Sequence, residues 1–204
     1  MLVVVQRRIV RFQVREVTCA MGYVYLYTGT GGGKTTNALG LALRSVGHGK
    51  KVVVIQFLKW REDIGEYLIK NRLAPYYEIY QFGREAWLGE TDRTEEFAGE
   101  KFEVECIKNV DRELAKKGLA FAKKIMAEKK PSLLVLDEIG LATEWKLLEV
   151  KDVLELLDDV PEETTVVLTG RLAPKELADR ADFVNVIQQV KMPEDFKPTE
   201  GIQY

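Results

Sequence analysis

One histidine, His48, and two cysteines, Cys19 and Cys106, are all that the 204 residues contain of these metal-ligating types. A four-ligand zinc cluster therefore lacks donors, and two cysteines so distant in sequence do not make a disulfide framework. A reducing, free-thiol setting follows, and a cytoplasmic location is the expectation. Long apolar runs are missing too, none approaching the ~20 residues that a membrane-spanning helix requires. Arg7, Arg8 and Arg11 break the apolar start of Met1–Ala20, so a secretory signal is not expected there. An excess of charge of one sign is absent as well. With a net charge of −2, nothing in the composition calls for nucleic acid as a partner, and no membrane is expected among the partners. Repeats and low-complexity stretches are also lacking.

What is present is the composition of a soluble domain with a substantial core, 46% apolar and 30% charged. Its centre is the stretch Thr28-Gly29-Thr30-Gly31-Gly32-Gly33-Lys34-Thr35-Thr36. The apolar run Tyr23-Val24-Tyr25-Leu26-Tyr27 before it reads as a buried strand. After it, Ala38, Leu39, Ala42 and Leu43 mark one stripe of a helix. A strand, a glycine-rich turn and a helix opening on Lys-Thr form the context of a phosphate-binding loop. Glycines let successive N–H groups turn inward as an anion nest, and the helix N-terminus adds partial positive charge. Lys34 is expected to reach phosphate oxygens and the Thr35 hydroxyl to help hold Mg²⁺. The loop departs from the common Gly-x-x-x-x-Gly-Lys-Ser/Thr spacing in one respect. Position 28 holds threonine, the first glycine is Gly29, and the loop is one residue short.

The helix is expected to stop near Val46-Gly47-His48-Gly49, with His48 a turn residue rather than a catalytic group. Lys51–Phe57 reads as a strand of a parallel sheet and Tyr76–Phe82 as a third strand. Lys59, Trp60, Arg61, Gly83, Arg84 and Trp87 flank these strands, where loops line the crevice of open α/β folds. Aromatic residues there can contact a large flat ligand or simply pack. Thr91–Lys130 reads as a helical region with Leu114, Leu119, Phe121, Ile125 and Met126 inward and Gly118 a break. Val10, Phe12 and Val14 alternate with Arg11, Gln13 and Arg15, so residues 1–21 are expected to form an edge strand or a disordered extension. Met21 is an alternative start.

A second signal is Leu133-Leu134-Val135-Leu136-Asp137-Glu138, an apolar strand ending in two carboxylates. Such an end partners a phosphate loop by binding the metal. The residues leave open whether Asp137 or Glu138 is the inner ligand. Leu147–Leu157 reads as an amphipathic helix, Thr164–Thr169 as another strand, Pro174–Asp179 as a short helix and Phe183–Ile187 as a last strand. Arg171, just past a strand tip, can meet phosphate or pair with a carboxylate.

Taken in order, these motifs resemble the phosphate-loop type of ATP:corrinoid adenosyltransferase. The resemblance rests on Thr28-Gly29 through Lys34-Thr35-Thr36, Arg44–Val52, Gln56-Phe57, Leu136-Asp137-Glu138, Val167–Arg171 with Ala173-Pro174, and Gly201-Ile202-Gln203-Tyr204. It runs from about Gly22 to Tyr204, and the short loop is itself a family trait. The resemblance implies a RecA-like α/β fold over residues 22–204, a mostly parallel sheet of five to six strands flanked by helices. It further implies a homodimer that binds MgATP and a corrinoid and needs an electron donor to reduce cobalt. In this family cob(I)alamin attacks the ribose C5′ of ATP and inorganic triphosphate leaves. Carried over, Gly29, Thr30, Gly31, Gly32, Gly33, Lys34, Thr35 and Thr36 would hold the triphosphate, with Arg171 in the same binding set. Thr35 and Glu138 would hold Mg²⁺ with Asp137 in support. Trp87 would belong to the corrin side, because Gly83-Arg84-Glu85-Ala86-Trp87 loosely echoes the family's Gly-Phe-Thr-Trp segment. The family's loop often has Asn and Lys where this chain has Thr30 and Gly32, and its tail often has a histidine where this one has Met192. Two rival readings are a phosphotransferase such as a nucleoside kinase, which would need a general base, and a nucleotide-gated binding protein without turnover. Zinc-bearing kinases of similar fold lack their cysteines here.

Overall fold

The computed structural model describes residues 22–97 and 100–203, and the expectations for residues 1–21 lie outside this range. In chain order the elements are β1 (Val24–Thr28), α1 (Lys34–Gly47), β2 (Val52–Phe57), α2 (Gly65–Leu68), α3 (Lys70–Leu73), β3 (Tyr77–Phe82) and β4 (Trp87–Gly89). Next come β5 (Arg93–Phe97), β6 (Glu100–Cys106), α4 (Asn109–Lys129), β7 (Leu133–Asp137) and α5 (Ile139–Glu144). The last are α6 (Val150–Asp158), β8 (Thr165–Thr169), α7 (Lys175–Arg180) and β9 (Phe183–Val186).

β2 and β7 are buried along their whole length because a parallel sheet is covered on both faces. Among the described residues six strands form that sheet in the order β3-β2-β7-β8-β1-β9, and every pairing is parallel. The α/β architecture expected from the sequence is therefore the one present. Alternate residues sort onto two faces. Leu26, Ile55, Phe57, Leu134, Leu136 and Leu168 pack with Leu119, Ile125, Leu156 and Leu177 of α4, α6 and α7. Val52, Val54, Ile79, Leu133, Val135 and Val167 pack with Ala38 and Ala42 of α1. α1 ends as anticipated, with Gly49 N–H bonding to the Val46 carbonyl and Lys50 N–H to that of Ser45. Among the described residues no helix is long and apolar enough to cross a membrane.

One expectation needs correcting. Thr91–Lys130 is not helical throughout, because β5 and β6 form an antiparallel hairpin that β4 joins in parallel, and the helix begins only at Asn109. Phe102, Val104 and Cys106 alternate with Lys101, Glu103 and Glu105, a period of two that the high charge obscures.

Gly118 does not break α4 either. A Cβ there would lie 2.9 Å from the Phe57 ring and 3.0 Å from Phe82, so the glycine lets the helix approach the sheet. Gly40 of α1 has nothing within 4 Å of such a Cβ. Gly40→Ala is therefore expected to stabilise by about 0.5–1 kcal/mol through helix propensity. Gly118→Ala gains the same propensity but overpacks the core, which costs about 1–3 kcal/mol. Urea unfolding of the two variants should move the midpoint in opposite directions, and a stabilising Gly118→Ala would show that the contact is not tight.

Candidate functional site

All the strand tips point to one edge of the sheet, and the glycine loop between β1 and α1 lies there. Two of its glycines adopt the left-handed region, Gly29 at φ 104° and Gly33 at φ 102°. Gly29 and Gly31 are also pressed onto the chain beyond β9, since a Cβ would meet the Ile187 carbonyl oxygen at 2.4 Å and Gln188 at 2.8 Å. Their N–H groups bond to the carbonyls of Arg171 (3.2 Å) and Ile187 (2.9 Å), which pins the loop. Thr30, Gly32, Gly33 and Thr36 are exposed. The N–H groups of Lys34, Thr35 and Thr36 stand in the first helical turn, where no intrahelical acceptor exists.

Lys34 is buried, and its ammonium donates to the Gly31 carbonyl at 2.7 Å. Burial holds its pKa below the ordinary lysine value, against the opposing charge of Glu138. Thr35 donates its hydroxyl to Asp137 Oδ1 at 2.8 Å, joining the loop to the tip of β7.

The two carboxylates that the sequence leaves equivalent differ sharply here. Asp137 is fully buried and accepts from Thr35 and Thr169 (2.7 Å) on Oδ1, and from Gln56 (3.1 Å) and Lys59 (2.7 Å) on Oδ2. Burial alone would raise its pKa, but the Lys59 charge and these donors hold it below the usual value. Glu138 has a left-handed backbone (φ 61°), and its N–H donates to the Thr169 hydroxyl at 2.9 Å. Its Oε2 is sealed from solvent and, among the described residues, has no hydrogen-bond partner. Burial first, and then the neighbouring Asp137 charge, push its pKa up. An unpartnered carboxylate beside a threonine hydroxyl suits a hard, oxygen-liganded cation completed by phosphate oxygens, the usual setting of Mg²⁺. No cluster of three or more His, Cys, Asp or Glu occurs among the described residues.

Two cavities meet at Glu138. One, of about 480 Å³, is lined by Gly33–Thr36 of the loop, by Leu39 and Leu43 of α1, by Tyr77, and by Gly201–Gln203 of the tail. The other, of about 280 Å³, is lined by Leu58, Trp60, Trp87, Leu88, Leu141 and Trp145. Lys59, Glu66, Glu138 and Gln203 belong to both. The first cavity, with the glycine loop in its wall, has the lining of a nucleotide site, and the aromatic one suits a large apolar ring system. Trp87 is 47% exposed and packs edge-on against Trp60, with ring centres 5.2 Å apart. Arg171 is exposed and makes no side-chain hydrogen bond or ion pair among the described residues, yet its charge acts on both Lys34 and Glu138. Of the two partners that the sequence allows it, the carboxylate is therefore not engaged.

The sequence reading thus brings together Lys34, Thr35, Asp137 and Glu138, with Arg171 and Trp87 at the margins. It names Lys59 only as a flank of the crevice and Gln56 and Thr169 only within motifs, gives none of the three a role, and passes over Trp145. Gln56 and Lys59 stand just within and just past the tip of β2, beside that of β7, a neighbourhood that strand order alone reveals.

Comparison with known proteins adds an independent finding. The family model described as ATP:corrinoid adenosyltransferase BtuR/CobO/CobP matches residues 20–204. The corrinoid adenosyltransferase of Escherichia coli K12 is 31% identical over 194 residues, covering 94% of this chain and 90% of its own. The corrinoid adenosyltransferase CobA of Salmonella typhimurium is 31% identical over 185 residues, covering 90% of this chain and 86% of its own. One from Sinorhizobium is 30% identical over 188 residues, covering 90% and 80%.

Proposed function

The chain belongs to the ATP:corrinoid adenosyltransferase family, and on that premise we propose that it transfers the 5′-deoxyadenosyl group of ATP to the reduced cobalt of a corrinoid, releasing inorganic triphosphate. The observation that carries this reading is the shared wall of the two cavities. ATP held on the glycine loop has its transferable carbon within reach of a ligand in the aromatic cavity only where the cavities meet, at Lys59, Glu66, Glu138 and Gln203.

In this proposal the loop residues Gly29–Gly33, with Lys34, Thr35 and Thr36, hold the triphosphate. The unsatisfied first-turn N–H groups and the Lys34 ammonium suit an anion. Thr35 and Glu138 would hold Mg²⁺, and Asp137 orients Thr35 from behind. The four donors already on Asp137 leave Glu138 the better inner ligand. Mg²⁺ would neutralise charge on the phosphate oxygens. Arg171 is poised to add a positive charge at the cleft, and Trp87, with Trp60, to face the corrin. The metal of the corrinoid is substrate, and an electron donor must supply it reduced. A homodimer in the cytoplasm completes the proposal. Pairing of copies is supported by β9, which among the described residues is an edge strand with Phe183, Val184 and Val186 all exposed.

The chemistry needs no general base, because reduced cobalt has no proton to lose, and His48 caps the far end of α1. Electron density leaving C5′ collects on the triphosphate, where the loop amides and Lys34 stabilise it. Phosphorus NMR of a reaction with reduced corrinoid and MgATP is expected to show intact inorganic triphosphate and little ADP, alongside the spectrum of an alkylated corrinoid. ADP and phosphate in stoichiometric amounts would favour a kinase or ATPase instead.

A further inference from the structure

We propose that Lys59 is a further catalytic residue, the cation that meets the oxygen leaving C5′. This rests on the adenosyl-transfer reading above. A carbon passing from one cavity to the other must do so at their common boundary, so the residues lining both are those within reach of the breaking bond. Among the described residues there are four, Lys59, Glu66, Glu138 and Gln203, and of these only Lys59 is positively charged. Lys34, by contrast, lines the nucleotide cavity alone.

The placement of Lys59 is built rather than incidental. The preceding residue, Leu58, adopts a left-handed backbone (φ 62°) that an isoleucine- or leucine-type side chain rarely takes. Gly83, after β3, comes so close that a Cβ would lie 2.5 Å from the Leu58 carbonyl carbon and 2.6 Å from the Lys59 nitrogen. The ammonium is anchored at 2.7 Å on the fully buried Asp137, and its side chain is 29% exposed. An ammonium has three N–H donors. Asp137 takes one, and among the described residues no other acceptor is bonded to it, so two are left for the cavities that Lys59 lines. Asp137 fixes Lys59 in place, and Lys59 in turn keeps Asp137 from competing with Glu138 for a cation.

The step balances without a proton. The cobalt electron pair forms the bond to C5′, the C5′–O bond breaks, and its pair passes to the triphosphate oxygen beside the ammonium. A fixed donor aimed at developing charge contributes about 10²–10³-fold in rate.

Lys59→Met is accordingly expected to lower kcat for adenosyl transfer by about 10²–10³-fold, with the calorimetric Kd for MgATP within about 3-fold of the unmutated chain. Lys59→Arg keeps a cation and should recover part of the rate. The double variant Lys59→Met/Asp137→Asn leaves no unpaired charge in the core and should be slower than Asp137→Asn alone. A Lys59→Met rate within about 3-fold of normal would overturn the proposal, as would a double variant as fast as Asp137→Asn or a parallel loss of rate and MgATP affinity. Each of those outcomes makes Lys59 only the counter-ion of Asp137. The unmutated chain, run alongside, separates the two readings. Failure to alkylate the corrinoid there overturns the proposed function, whereas a fast Lys59→Met overturns the role of Lys59 alone.

Discussion

Lys34→Ala is expected to lower turnover by about 10²–10⁴-fold while leaving the cooperative unfolding transition in place. The ammonium now donates once, to the Gly31 carbonyl, and has two donors left for phosphate oxygens. Each charge-assisted contact contributes about 1.5–3 kcal/mol, so losing two removes about 3–6 kcal/mol of stabilisation from the transition state. The fold loses little by comparison. Deleting the side chain removes one hydrogen bond, worth about 1 kcal/mol. It also removes a cation whose burial is already unfavourable, as its depressed pKa records. In a domain of this size about 1 kcal/mol corresponds to about 2–4 °C in Tm. Steady-state rates at saturating ATP, read together with a thermal melt, check both halves. Near-normal kcat would show that the glycine loop is not the working site.

The loop was legible because its chemistry is local: a strand, glycines and Lys34-Thr35 are contiguous, and backbone geometry follows from them. The acidic end of β7 was legible for the same reason. The division of labour between Asp137 and Glu138 was not. It depends on Gln56, Lys59 and Thr169, which reach Asp137 from the neighbouring strands β2 and β8 and with Thr35 fill its acceptor sites. Spacing along one strand carries no such information. Trp145, on the rim of the aromatic cavity, follows α5 and touches the site only because β7 delivers that helix there. The hairpin β5–β6 was hidden differently. Its cross-strand partners include Thr94 opposite Glu103 and Glu96 opposite Lys101, so its exposed surface reads like that of a solvated helix. The remaining apolar residues at every second position were the discriminating signal.

Glu138→Gln is expected to stabilise the metal-free protein while disabling the enzyme. The Glu138 pKa is raised in the folded state by burial and by Asp137. A carboxyl of this kind binds its proton more tightly folded than unfolded, so its contribution to stability is complete below the unfolded value of about 4.3 and is lost as pH rises through the folded one. At neutral pH, above the unfolded value, the acid is therefore a liability that the neutral amide lacks. The Tm of Glu138→Gln, measured without Mg²⁺, should exceed that of the unmutated chain at pH 7.5, and the gap should close near pH 4. Activity should move the other way. Altering a group that merely supports a metal ligand already costs about 10–100-fold, and replacing the ligand itself should cost more than about 100-fold in apparent Mg²⁺ affinity for turnover. Asp137→Asn makes the control, because its carboxylate holds four hydrogen bonds in the core and its replacement should lower Tm. Equal loss of stability in both variants, or an unchanged Mg²⁺ requirement in Glu138→Gln, would transfer the inner metal position to Asp137. Oε2, sealed and without a partner among the described residues, argues for the opposite outcome, since a buried charge held without a hydrogen bond is unfavourable until a cation arrives.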